Sequence, residues 1–164
     1  MPYNVLLVDD DEIILDTYKT ILEIEGFTVH TASNPYQAIQ VIKNQDFQLA
    51  ILDYNLPQMT GIQLGHLIKK AQESTAIMFI SGNSEIHELA KKVDYKVCKV
   101  FSKPIDIVLL IQAMKSTLGE TGITRMPSIS KSVKKHEPNQ ISQLIENITQ
   151  ITRARFYFLR GILF

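Results

Sequence analysis

The chain is short of cysteine, of net charge and of long apolar runs, and each shortage closes off a class of protein. Its single cysteine, Cys98, cannot form an intrachain disulfide, so the fold must be held by its core. The neighbours Val97, Lys99 and Val100 read as the start of a strand, which makes Cys98 a structural thiol in a reducing compartment. A catalytic thiol needs a base beside it, and His30, His66, His87 and His136 have no spacing that supplies one. A formal net charge of zero and a pI near 6.9 give no overall pull toward nucleic acid or an acidic membrane. No stretch approaches the roughly 18 apolar residues of a membrane span. The start, Met1-Pro2-Tyr3-Asn4, has no basic region before an apolar run too short for a signal peptide. The cytoplasm is the expected location.

What is present is one domain's worth of core. At 164 residues and 45% hydrophobic content, the chain can bury about 68–70% of its unfolded surface. The charge is unevenly placed. Residues 1–119 carry 10 Lys+Arg against 14 Asp+Glu, and residues 120–164 carry 7 against 3, an acidic body followed by a basic tail.

Within the body, strand-like apolar runs alternate with helix-like segments. Residues 4–8 (NVLLV) come first, then a segment from Glu12 to Glu25 whose Ile13, Ile14, Tyr18, Ile21 and Leu22 recur at helical spacing before Gly26 stops it. A strand over 27–32 precedes Asn34-Pro35, where asparagine suits an N-cap and proline the first helical turn; Ala38, Ile39, Val41 and Ile42 give that helix its apolar face. Further strands are expected at 49–52, 76–80 and 97–102, and further helices at 60–72, 84–93 and 105–118. Five strand–helix units in succession imply a parallel sheet covered on both faces by right-handed crossovers. The expected class is therefore α/β, a flavodoxin-like, doubly wound five-stranded sheet.

In such a sheet, ligands bind outside the carboxyl ends of the strands. Asp9 and Asp10 follow the first strand, Asp53 the third, Ser81 the fourth and Lys103 the fifth. An ionised oxygen taken out of water must be paired or must coordinate a metal, so acids at buried strand ends together with a cation point to one shared polar site.

The segments Val8-Asp9-Asp10-Asp11, Leu52-Asp53-Tyr54-Asn55-Leu56-Pro57-Gln58-Met59-Thr60-Gly61, Ile80-Ser81-Gly82 and Phe101-Ser102-Lys103-Pro104 together resemble the receiver domain of two-component response regulators, over about residues 1–118. The resemblance implies that Asp53 accepts a phosphoryl group from a phosphohistidine of a sensor histidine kinase or histidine phosphotransfer protein. It implies Mg²⁺ held by Asp9 or Asp10, Asp53 and the main-chain carbonyl of Asn55, with Asp10 the foremost direct side-chain ligand; hard oxygen donors suit that ion. Lys103 would pair with Asp53 at rest and with a phosphoryl oxygen afterwards, while Ser81 would give its hydroxyl to another. In this family the bond before Pro104 is usually cis. Such a protein is a signalling phosphoacceptor rather than an enzyme. It would act through protein contact on the face formed by the fourth helix, fifth strand and fifth helix, with a downstream protein as target.

The chain departs from the family pattern in two places. Where receivers often have an aromatic three residues before the lysine stands Val100, with Phe101 beside it facing inward. The signal is then expected to pass through the loop after the fourth strand and the helix at 84–93. Residues 93–99 lack the usual Gly-Ala-Asp-like turn, and Tyr95 is expected to be a surface tyrosine.

From about Gly119 the character changes. Residues 119–140 are rich in Ser, Thr, Lys, Pro and Gly and read as a flexible linker. In 141–164, Ile141, Leu144, Ile145, Ile148, Ile151, Phe158, Leu159 and Ile162 recur at helical spacing, an amphipathic helix for docking on the receiver, for a homodimer, or for a partner's groove. A segment of this length cannot make a two-helix DNA reader, so no direct DNA binding is expected, and membrane contact is the least favoured role. Two alternatives stand beside the receiver reading. Asp9-Asp10-Asp11 has the Asp-x-Asp spacing of haloacid-dehalogenase-like phosphatases, and a receiver can also serve as a phosphorylation-independent scaffold.

Overall fold

The computed structural model describes residues 2–119. The strands β1 (Asn4–Val8), β2 (Thr28–Ala32), β3 (Leu49–Asp53), β4 (Ala76–Ser81) and β5 (Val97–Ser102) alternate with the helices α1 (Glu12–Ile24), α2 (Pro35–Asn44), α3 (Gly61–Ala71), α4 (Ile86–Leu89) and α5 (Ile107–Thr117). All strand pairs are parallel, in the order β2-β1-β3-β4-β5. This is the expected flavodoxin-like doubly wound sheet.

Period-two alternation divides the core in two. Val5, Leu7, Leu49, Ile51, Met78 and Ile80 face α1 and α5, whereas Leu6, Val8, Ala50, Leu52, Ile77 and Phe79 face α2, α3 and α4. The central strands are apolar on both sides because both sides are covered. Local signals set the helix ends. Asp11 caps α1, Asn34 caps α2 ahead of Pro35, Thr60 and Gln63 form a reciprocal capping box on α3, and Asp106 caps α5. Gly26, at φ +94°, takes the left-handed turn that ends α1.

The fourth helix differs from expectation. Instead of spanning 84–93 it has four residues, Ile86–Leu89, and no side chain caps its start. Only Ile86 and Ala90 are buried along this stretch, so a longer helix would have little apolar face to bury, and packing supplies most helical stability in proteins. The helices expected at 60–72 and 105–118 are shorter at both ends. In β5 the register shifts: Val97 opposes Ile77 but Lys99 opposes Met78, so Cys98 is an extra residue. The bulge resets which face each later residue takes. Phe101 goes inward to the α1/α5 core and Val100 packs on the other side. The linker and amphipathic segment at 119–140 and 141–164 lie beyond Gly119, outside the described residues.

Candidate phosphoacceptor and metal site

The carboxyl ends of β1, β3, β4 and β5 converge as expected. Asp9, Asp53 and Ser81 are almost wholly buried, at 2%, 4% and 1% exposure, while Asp10 is exposed. One carboxylate oxygen from each of Asp9, Asp10 and Asp53 lies within 4.8 Å of the others. Lys103 Nζ reaches Asp9 Oδ2 at 2.7 Å and Asp53 Oδ2 at 3.1 Å. The lysine expected to pair with Asp53 is thus shared, and its shorter contact is with Asp9. The sequence could not show this, because both acids end strands next to one another in the sheet and either could claim the cation.

Main-chain hydrogen bonds hold the frame. Asp9 Oδ1 accepts from the Asp11 amide at 3.0 Å. The Tyr54 amide donates to the Ile80 carbonyl, and the Lys103 amide to the Ser81 carbonyl, tying the ends of β3, β4 and β5 together. Ser81 Oγ accepts from the Asn83 amide at 2.9 Å, which orients the hydroxyl. The Lys103–Pro104 bond is cis, as expected. Asn55 sits in the exposed bend two residues beyond Asp53. Gly61 starts α3 directly against this site: a Cβ there would stand 2.3 Å from the Asp53 carbonyl oxygen.

Electrostatics at the site are dominated by crowded carboxylates. Burial pushes the Asp9 carboxyl up to about 6; Lys103 opposes the shift and Asp53 adds to it. For Lys103, burial favours the neutral form, yet Asp9 and Asp53 outweigh it and hold the ammonium above its ordinary value. Asp53 Oδ1 is buried without a hydrogen-bond partner. A buried acceptor with no donor needs a cation or a new ligand. That oxygen, two neighbouring carboxylates and only hard oxygen donors are what a magnesium ion accepts, so the residues fit the metal.

Tyr95 departs from the sequence reading. It is half-buried, donates its hydroxyl to the Ile62 carbonyl at 2.9 Å, and lies over Gly65 of α3. Burial and Asp94 push its phenol up to about 12. Asp94 also reaches His66 Nδ1 at 3.3 Å, so the α4–β5 connection is fastened to α3. A glycine inside a helix pattern was the available signal.

The family model for the response regulator receiver domain matches residues 5–115, and the chain belongs to that family. Among curated proteins, it is 38% identical over 88 residues to the cell cycle transcriptional regulator CtrA of Caulobacter vibrioides, covering 54% of this chain and 38% of that protein. It is 30% identical over 117 residues to the transcriptional regulatory protein SrrA of Staphylococcus aureus, covering 70% of this chain and 48% of that protein. The chain therefore spans less than half the length of these relatives. A CheY-like response regulator receiver domain protein from Methanospirillum hungatei superposes with a TM-score of 0.68 at 29% identity, covering 73% of this chain and 96% of that one. The response regulator TrrA of Thermotoga maritima, solved in complex with Mg²⁺ and BeF, shares the fold with a TM-score of 0.63 at 24% identity, covering 71% of this chain and 99% of that one. The family match includes the Asp9-Asp10-Asp11 run on which the phosphatase alternative stood. Among the described residues, no helix is long and apolar enough to cross a membrane.

Proposed function

We propose that this receiver accepts a phosphoryl group on Asp53 from the phosphohistidine of a sensor histidine kinase or histidine phosphotransfer protein, in the cytoplasm. The observation that carries the reading is the state of Asp53: a buried carboxylate with one oxygen on Lys103 and the other without a donor, inside a cluster of acids. An Asp53 oxygen attacks phosphorus, the phosphorus–nitrogen bond of the donor breaks, and the imidazole nitrogen leaves with the electron pair and takes up a proton. Phosphoryl transfer asks a protein chiefly for in-line positioning and for charge neutralisation on the equatorial oxygens.

Asp9, Asp10, Asp53 and the Asn55 carbonyl would hold Mg²⁺, which when bound neutralises phosphoryl charge. Lys103 would leave Asp53 for a phosphoryl oxygen while keeping Asp9 as its counter-ion, a reading supported by its contacts with both acids. Ser81 offers its hydroxyl proton to another oxygen, since its Oγ already accepts from Asn83. Output then passes by protein contact through α4, β5 and α5. Intact-mass analysis after incubation with Mg²⁺ and acetyl phosphate is expected to show one added phosphoryl group on the parent and none on Asp53→Asn. Equal labelling of both would remove Asp53 from the role.

A further inference from the structure

The two helical layers of the receiver differ in character. Of the six large apolar side chains exposed among the described residues, four lie on the α1/α5 layer: Ile13, Ile24, Val108 and Leu109, the last two at 49% and 53% exposure. With their capping residues, α1 and α5 carry six acids (Asp11, Glu12, Asp16, Glu23, Glu25, Asp106) against Lys19 and Lys115. The opposite layer, α2, α3 and α4 with their caps, has three lysines against two glutamates and exposes only Tyr36 and Leu67 among its large apolar side chains. One layer is thus acidic with apolar side chains standing out of it, and the other is close to neutral.

The remainder of this chain has the complementary composition. After Glu137, the sequence to Phe164 contains Arg153, Arg155 and Arg160 against Glu146 alone, among isoleucines, leucines and phenylalanines at helical spacing. It is attached next to the acidic layer, because α5 ends at Thr117 and its cap Leu118 leads into Gly119. Twenty-one residues, 120–140, separate Gly119 from Ile141, and a chain of that length reaches about 25 Å on average. The 11 residues of α5 rise only about 16 Å, so the segment can reach Val108 and Leu109 at the far end of the helix. A short tether also gives a local concentration in the millimolar range, enough for a modest patch to be covered.

We infer that residues 141–159 dock in cis on the α1/α5 layer of their own receiver, with apolar side chains over Val108, Leu109 and the exposed isoleucines of α1, and with Arg155, which shares the apolar helical face, toward Asp16 and Glu23. The inference goes beyond phosphoryl acceptance and needs nothing from Asp53.

The test is hydrogen–deuterium exchange of the 164-residue chain, read by mass spectrometry from both sides of the contact. Ile145→Glu/Ile148→Glu is expected to speed exchange in peptides covering α1 and α5 several-fold and to leave those of α2 and α3 unchanged. Reciprocally, Val108→Glu/Leu109→Glu, which alters exposed positions only, is expected to speed exchange across 141–159. Asp16→Lys/Glu23→Lys should do the same, more strongly at low salt than at high salt. Exchange in the tail that ignores both receiver variants overturns the docking, as does a tail variant that uncovers α2 and α3 instead. Light scattering on the same samples separates the occupants. Protection that persists at monomer mass upholds docking in cis, and protection that exists only at dimer mass and disappears on dilution makes the occupant a second copy. Tail protection seen only after adding vesicles with anionic lipid makes the occupant a membrane, which also overturns the inference.

Discussion

Asp9 carries its charge at a cost. It is buried beside Asp53 and Asp10, and burial pushes its carboxyl up to about 6 from the ordinary aspartate value of 3.8. The folded form therefore binds more protons than the unfolded form between those values, and stability from this group falls as pH rises through that window. Above it, ionised Asp9 is a standing cost of about 3 kcal/mol, at about 1.4 kcal/mol per pKa unit. Asp9→Asn removes the cost, so without divalent cation the variant should melt several degrees above the parent at pH 7 and lose the advantage by pH 4, as thermal unfolding across that range would show. The same substitution should weaken Mg²⁺ binding. In the parent, apparent Mg²⁺ affinity measured by titration should fall about tenfold per pH unit below about 6, because metal and proton compete for one carboxylate.

Lys103 is the counterpart. Among the described residues it is the cation that reaches both buried acids, and removing one partner of a buried pair leaves an uncompensated charge worth about 3–5 kcal/mol. Lys103→Met should destabilise the metal-free protein by that order at pH 7 and by less at pH 5, where Asp9 holds a proton. Urea unfolding at the two pH values reads the difference.

At the scale of elements, two glycines of α3 carry opposite meanings. Gly61 opens the helix where a Cβ would meet the main-chain oxygen of Asp53, whereas at Gly65 a Cβ would meet the hydroxyl end of Tyr95. Backbone cannot yield without moving the site, but a side-chain tip can swing away. Gly61→Ala is therefore expected both to destabilise the fold and to slow phosphoryl labelling of Asp53. Gly65→Ala exchanges the Tyr95–Ile62 hydrogen bond, worth about 1 kcal/mol, for a helix-propensity gain of about 1 kcal/mol, and should be close to neutral. In a Tyr95→Ala background the propensity gain stands alone, so Gly65→Ala should stabilise by about 1 kcal/mol. A double-mutant cycle by chemical denaturation measures that coupling. The short α4 belongs to the same story, since the connection that follows it is held by Tyr95 and Asp94 rather than by helical packing.

For the whole molecule, a two-layered sheet turns sequence separation into proximity: Asp9 and Lys103 are 94 positions apart and in contact. The asymmetry of its layers, one acidic with exposed apolar residues and one nearly neutral, gives the chain a side on which to receive its own basic end. Much of this was legible beforehand. Period-two and helical spacings announced five strand–helix units, Asn34-Pro35 and Gly26 marked element ends through local backbone chemistry, and acids after apolar runs marked the site, because a parallel sheet must bring its strand ends to one edge. The sequence by itself thus determined the fold class, the family and the residues that meet. Only the tertiary structure decided how they meet. It divided Lys103 between Asp9 and Asp53, inserted Cys98 as a bulge that sets the facing of Phe101 and Val100, cut α4 to a single turn, and seated Tyr95 on Gly65. These outcomes are choices between neighbours of similar chemistry or propensity, and such choices are made by long-range packing, which has no period along the chain.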